Sequence, residues 1–347
     1  HIREHVIMKL FKNWIININS EKFKTFVYHS SSKIDNTTRL IKDASHVFYN
    51  NVDTDELVNK IYSDQLDILI YLDIGMDPKI QILASLRLAS IQCCAYGVPV
   101  TSGFNSIDFF LTAAEMETKD SDLFYSEKLI RLPKLGVNYD ILKENIENFN
   151  IDKDENKFYF LTLQSNFKLL PQHDHIYFDI IKKNPQCKFW FLGKKNEFVA
   201  GKFKDRLSSL SAKNNIIFDD YFSFFYEMPY NKYLSLIKSS DAILDSFDWS
   251  GLNTSLEAIY LNKPIVTMPS SYMRGRHTYA ILKILKLDEL ICNSKQNYVD
   301  VASKLSKNLS FLDILVKKIK LNKKNLFNND DAILYLENFF KSIYNTQ

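Results

Sequence analysis

Short apolar runs of four to seven residues alternate with amphipathic stretches along most of this chain, and that rhythm constrains the fold more than any single motif. Strand-like runs separated by helical patterns are the mark of parallel α/β architecture. In the first part, Lys24–His29, His46–Tyr49, Asp67–Asp73 and Ile91–Ala95 read as strands, with Asp55–Tyr62 and Pro78–Leu86 as helices between them. Ile7, Leu10, Phe11, Trp14, Ile15 and Ile18 recur at spacings of three and four, one face of an opening helix. A β/α unit normally supplies a strand ahead of such a helix, so the reading expects a first strand to be missing here. A second series follows the polar stretch Glu144–Asn156. It comprises strand Phe158–Leu163, helix Pro171–Lys183, strand Cys187–Leu192, an element at Asn215–Asp219, helix Tyr230–Ser239, and strands Ala242–Asp245 and Ile265–Met268. The expected organisation is a Rossmann-like domain over 1–148, a second over 149–330 facing it across a cleft, and a closing helix over 331–347 packed back on the domain junction. Ligands of such sheets sit at the carboxyl ends of the strands.

Composition removes several classes of function. The 347 residues carry 44 lysines and arginines against 41 acidic residues, a net charge of +3, too even for a dedicated nucleic-acid or polybasic membrane binder. No apolar run approaches the ~18 residues of a membrane span. Four cysteines, Cys93, Cys94, Cys187 and Cys292, are too few for a disulfide framework in so long a chain and fit a reducing, cytoplasmic compartment. No CxxC, HExxH, GxGxxG or Walker loop occurs, which argues against structural zinc, dinucleotide and P-loop chemistry.

Three segments carry possible chemistry. In Asp245–Glu257 a strand end, a loop and a helix start near Asn253 follow one another, so first-turn N–H groups of that helix are placed to meet a phosphate. Glu257 lies four residues on, on the same face, suited to accept hydrogen bonds from a ribose. Thr254-x-x-Glu257 is equally the spacing of a plain capping box, and spacing alone favours the cap. In Gln164–Pro171, Lys168 sits just past a strand end and before a proline-started helix, suited to neutralise a diphosphate, although a solvated lysine is the commoner outcome. His1 and His5 share a helix face if the helix begins that early, and without a third ligand they make no metal site. His173 and His175 point to different sides of a helix, and Asp53-Thr-Asp55 reads as a helix opening rather than a DxD metal motif.

Taken together these stretches resemble the catalytic region of glycosyltransferase family 41. That family holds protein O-linked N-acetylglucosamine transferases, SPINDLY-like enzymes and bacterial asparagine N-glucosyltransferases. The matching segments run in order through essentially the whole chain: Asp67–Pro78, Leu83–Gln92, Tyr96–Asp108, Tyr125–Pro133, Gln164–Pro171, Asp241–Pro269, Arg276 and Leu285–Ile291. The resemblance implies a GT-B fold and inverting transfer of glucose or N-acetylglucosamine from a UDP-sugar to a protein Ser/Thr or Asn, with no obligatory metal. It places the acceptor on the N-terminal domain's side. Carried over, Lys168 neutralises the departing diphosphate with Gln164 in the same loop. Asn253, Thr254 and Ser255 bind phosphate and sugar, Glu257 holds the ribose, Tyr233 lies near the uracil, and Arg276 ends the donor motif. His1 matches the histidine at the head of the first helix, near nucleotide and acceptor. Glu257 replaces the aspartate of the O-linked enzymes, Tyr233 a frequent histidine, and Val98 the usual His or Tyr. These departures keep two alternatives open: a nucleotide-sugar-binding protein with impaired catalysis, and a GT-B transferase acting on a glycan or lipid.

Overall fold

The computed structural model describes residues 1–50, 53–140, 151, 153–193, 198–327 and 330–345. The chain divides into two compact units, His1–Asp140 with Leu326–Gln347, and Ile141–Asn325. The boundary expected at 148/149 lies outside the described residues.

The first unit is built from α1 (Val6–Ile16), β1 (Phe26–His29), α2 (Asn36–Ala44), β2 (Val47–Asn50), α3 (Thr54–Ser63), β3 (Ile68–Tyr71), α4 (Pro78–Ser85), β4 (Ile91–Ala95), β5 (Phe109–Ala113) and β6 (Lys128–Leu132). β1 pairs with β2 in parallel, and β3-β4-β5-β6 form a parallel sheet in chain order. Asp53 caps α3 by accepting from the Glu56 amide at 2.8 Å, the helix opening its spacing suggests. α1 begins only at Val6, with His5 as its cap, so His1 and His5 do not share a helix face; their rings stack at 4.2 Å instead. β5 and β6 escape the sequence rhythm because no α-helix separates β4, β5 and β6. A strand–loop–strand run offers no change of period to read.

The second unit contains β7 (Phe158–Thr162), α5 (His175–Lys183), β8 (Cys187–Leu192), α6 (Phe198–Lys213), α7 (Phe218–Tyr221), β9 (Phe222–Phe225), α8 (Tyr230–Ser239), β10 (Ala242–Leu244), α9 (Asn253–Tyr260), β11 (Ile265–Val266), α10 (His277–Ile284), α11 (Lys295–Lys307) and α12 (Leu309–Asn322). Pro171 starts a 3-10 turn ending at His173, and the helix proper begins at His175. The element expected at Asn215–Asp219 falls on a turn and the start of α7, and the strand there is β9.

Every residue of β7 is buried, as in parallel strands covered by helices on both faces. Its aromatic residues pack along the sheet: Phe160 stacks on Phe189 at 5.7 Å, and Tyr159 meets Trp190 at 4.6 Å. Such pairs contribute about 0.5–1.5 kcal/mol each beyond area burial.

The strand order is β11-β10-β7-β8-β9, all parallel. From β7 the chain builds outward to β9, then returns to the other side of β7 for β10 and β11. The reversal lies between β7 and β10, and loops leaving two such strands diverge to open a crevice at their carboxyl ends. The last helix, α13 (Asp331–Tyr344), returns to the first unit. Phe339 lies edge-on to Phe109 at 5.3 Å, and Asn138 Nδ2 donates to Asp330 at 2.6 Å.

Candidate functional site

The crevice between β7 and β10 gathers most of the residues singled out from sequence. The loop after β7 carries Gln164 and Lys168; the loop after β10 runs from Asp245 to Gly251 and leads into α9. Gln164 joins them, its Nε2 donating to Thr254 Oγ1 at 2.9 Å. Lys168 Nζ donates to Gln164 Oε1 at 3.3 Å and lies 5.3 Å from the centre of the Trp249 ring. Burial pulls the Lys168 ammonium down to about 8, opposed by the Asp245 carboxylate. An ammonium held short of full solvation gains most when an anion arrives.

Asp245 organises the second loop. It is 5% exposed and accepts from the Gly251 amide at 2.9 Å and Thr267 Oγ1 at 2.8 Å. Its own carbonyl accepts from the Tyr298 hydroxyl at 2.8 Å. Burial raises its pKa, offset by these hydrogen bonds. Gly251 is required by space: a Cβ there would lie 2.4 Å from Gln164 Nε2, 2.6 Å from Thr254 Oγ1 and 2.7 Å from Ser255 Oγ. Beneath it, Thr278 Oγ1 meets Ser255 Oγ at 2.8 Å and accepts from Ser250 Oγ at 2.9 Å, so Ser255 is anchored in the core. His277 is buried beside them and held down to about 4 by that burial, hence neutral.

α9 is not closed by a capping box. Its cap position is Leu252, with no side-chain cap hydrogen bond, while Thr254 is taken by Gln164 and the Glu257 carboxylate points elsewhere. Spacing favours the cap; the structure overturns it, because partners from other elements claim both side chains. Glu257 is 3% exposed, and its two oxygens accept from Tyr230 at 2.7 Å and Tyr233 at 2.9 Å. Arg276 precedes α10, donates to the Ser270 carbonyl at 3.2 Å and stacks on Tyr279 at 4.3 Å.

His1 belongs to the first unit, where its Nδ1 is 3.0 Å from Asp73 Oδ2. Asp73 follows β3 and is itself buried, which raises its pKa. Gly97 lets the chain after β4 close on this corner: a Cβ there would sit 2.3 Å from the Leu72 carbonyl oxygen and 2.9 Å from Asp73 Cβ. Asp245, Trp249, Gly251, Thr278 and Tyr230 were not among the sequence candidates for direct roles, although the first three lie inside the quoted Asp241–Pro269 segment. His173 packs on Phe247 at 4.4 Å and pairs with Asp248. Among the described residues no three His, Cys, Asp or Glu side chains converge as metal ligands. Nor, among them, is any helix long and apolar enough to cross a membrane.

Comparison with known proteins bears on the family and the fold. The model of glycosyl transferase family 41 matches residues 148–333. A probable UDP-N-acetylglucosamine–peptide N-acetylglucosaminyltransferase, SEC of Arabidopsis thaliana, is 25% identical over 323 residues, covering 88% of this chain and 32% of the relative. The UDP-glucose:protein N-beta-glucosyltransferase of Actinobacillus pleuropneumoniae is 24% identical over 252 residues, covering 68% of this chain and 37% of the relative. The chain thus spans about a third of the length of the curated relatives it matches. Among solved structures, the O-GlcNAc transferase of Thermobaculum terrenum superposes with a TM-score of 0.87 at 19% identity, over 99% of this chain and 66% of that one. The fold is GT-B.

Proposed function

The chain belongs to glycosyltransferase family 41, and from that premise we propose that it transfers N-acetylglucosamine or glucose from a UDP-sugar to protein Ser/Thr or Asn side chains, with inversion at the anomeric carbon. The observation that carries the proposal is the Gln164–Thr254 hydrogen bond. It ties the lysine loop to the head of α9 at the strand-order reversal, bringing Lys168 and the first-turn N–H groups of α9 to one place. The acceptor oxygen or nitrogen attacks the anomeric carbon as its bond to the diphosphate oxygen breaks, and the acceptor proton passes to a base. Negative charge then develops on UDP, where Lys168 and the helix N-terminus stabilise it without a metal. Preorganised donors of this kind are worth about 10²–10³-fold each. Asn253, Thr254 and Ser255 frame the phosphates, Arg276 closes the donor motif, and the nucleoside falls to the α8–α9 face bearing Tyr233 and Glu257.

His1 is assigned to the acceptor side. An imidazole whose Nδ1 bonds a carboxylate keeps Nε2 basic, the arrangement a general base needs. The relatives' names include peptide and protein acceptors, which supports a protein substrate. Four free, buried cysteines fit a cytoplasmic home.

The test is UDP release from UDP-glucose and from UDP-N-acetylglucosamine, with and without an acceptor peptide library, in the presence of EDTA. Acceptor-dependent release from one donor names the sugar. Tight UDP binding with no turnover on peptides, glycans or lipids would establish a binding protein instead.

A further inference from the structure

Resting on the donor-site reading of the second unit, we infer that Arg206 is a positioning residue for Lys168. Its guanidinium fastens the loop that carries the lysine, so that the ammonium stands at the crevice before a diphosphate arrives. Arg206 and its partner Asp174 both lie outside the segments that carry the family resemblance.

The path from β7 to α5 consists largely of two short 3-10 turns, Asn166–Lys168 and Pro171–His173, joined through Leu169 and Leu170. Turns of this length have poor hydrogen-bond geometry, and Pro171 brings no N–H to the joint. Arg206 supports it from α6. Its Nη2 donates to the Leu169 carbonyl at 2.7 Å, one residue past Lys168, and to Asp174 Oδ1 at 3.2 Å. Its Nε donates to Asp174 Oδ2 at 2.7 Å. One planar fork thus spans the exit of the first turn and the start of α5, a task that suits arginine and not lysine.

Both ends of the clamp are fixed. An aspartate directly before a helix normally caps it, yet Asp174 makes no cap hydrogen bond; it is 3% exposed and gives both carboxylate oxygens to Arg206. On the other side, the Arg206 guanidinium lies 5.1 Å over the ring of Phe203, three residues earlier on the same face of α6. Phe203 is itself fully buried, edge-on to Phe191 of β8 at 5.0 Å. A chain of packed groups therefore runs from the sheet to the lysine loop. At its end Lys168 Nζ meets Gln164 and faces Trp249. A cation held in this way needs no reorganisation as charge develops on the diphosphate.

The experiment measures UDP binding by calorimetry, with a melting temperature, for wild type, Arg206→Met and Arg206→Lys, each with Lys168 present and with Lys168→Met. Arg206→Met is expected to weaken UDP about tenfold, an ordinary size for coupling within one network. Arg206→Lys keeps a charge beside the buried carboxylate, so it folds even where the methionine variant does not. Without the fork it should still weaken UDP by about threefold. In the Lys168→Met background both losses of affinity should vanish, while the drop in melting temperature remains. An ion pair that only holds the fold together lowers the melting temperature and shows no such dependence on Lys168. Folded Arg206 variants that bind UDP like wild type would overturn the inference, and so would losses of equal size with and without Lys168. Lys168→Met binding UDP as tightly as wild type would instead sink the donor-site reading, and the inference with it.

Discussion

The two units use the same parallel α/β construction, yet they differ in how the chain lays down its strands. In the first unit β3, β4, β5 and β6 follow one another across the sheet. In the second the order reverses between β7 and β10, and the loops leaving those strands diverge. The polar groups follow the difference. At the reversal, Gln164, Lys168, Asp245 and Thr254 are joined by hydrogen bonds and charge across two loops and a helix head. In the first unit the comparable feature is a histidine on a carboxylate at the end of β3. Strand order, rather than strand content, therefore separates the two polar clusters; the proposed function gives the diphosphate to one and proton transfer to the other.

Lys168→Ala should break the comparison most sharply if it is wrong. Turnover is expected to fall by about 10²–10³-fold, with UDP affinity reduced as well. His1→Ala is expected to lower turnover by about 10²-fold at the bottom of the range for acid–base groups, while UDP affinity stays within about threefold. Equal losses of UDP affinity in the two variants would mean that the nucleotide is held by both units, and the division of labour would fall.

Two glycines sharpen the same contrast. Gly251→Ala forces its Cβ onto Gln164, Thr254 and Ser255, and Gln164 must swing out, releasing both Thr254 and Lys168. Gly97→Ala drives its Cβ against the Leu72 carbonyl oxygen, Ile7 and Asp73, all in the first unit. Both should lower stability by about 1–3 kcal/mol, as overpacking does. Only Gly251→Ala should also weaken UDP, by about tenfold. Denaturation with calorimetry on the folded protein separates the two effects.

The parts of the site legible in the sequence are those that depend on neighbours along the chain. A strand end, a lysine loop and a helix start each fit within a dozen or so residues, so the segments Gln164–Pro171 and Asp245–Glu257 stand out locally, although the residues alone favour a solvated Lys168 and a plain cap and it is the family resemblance that gives them ligand roles. The unreadable parts are pairings between distant elements. Glu257 and Tyr230 are 27 residues apart, Glu257 and Tyr233 24, and nothing local marks either pair. Asp245 read as a strand end because its partners Gly251, Thr267 and Tyr298 come together only in the folded sheet. The Thr254–Glu257 spacing misled for the same reason: it is a genuine capping spacing, but Gln164 and the tyrosines compete for those side chains. β5 and β6 were lost because the β/α alternation lapses where they lie.

The last expected effect concerns pH and isolates Lys168 by its sign. A free lysine holds its proton to about 10.4, whereas burial brings Lys168 down to about 8. Below about 8 both folded and unfolded chains carry the proton, and the penalty of burying an ammonium is fully present. Between about 8 and 10.4 the unfolded chain keeps a proton that the folded one has released, so this group makes stability rise with pH. With Lys168 on the diphosphate as proposed, UDP requires the charged form, and its affinity is expected to fall over the same interval, by on the order of tenfold a unit above the folded pKa. One side chain thus drives stability up and nucleotide affinity down as the solution turns alkaline. Lys263, also brought to about 8 by burial, adds to the stability slope, so the diagnostic quantity is the difference between wild type and Lys168→Met. Melting temperature and UDP affinity measured between pH 7 and 9.5 should show both slopes diminished in the methionine variant. An unchanged affinity slope there would place the nucleotide's charge away from Lys168 and return the second unit's claim to the diphosphate to the N–H groups of α9 alone.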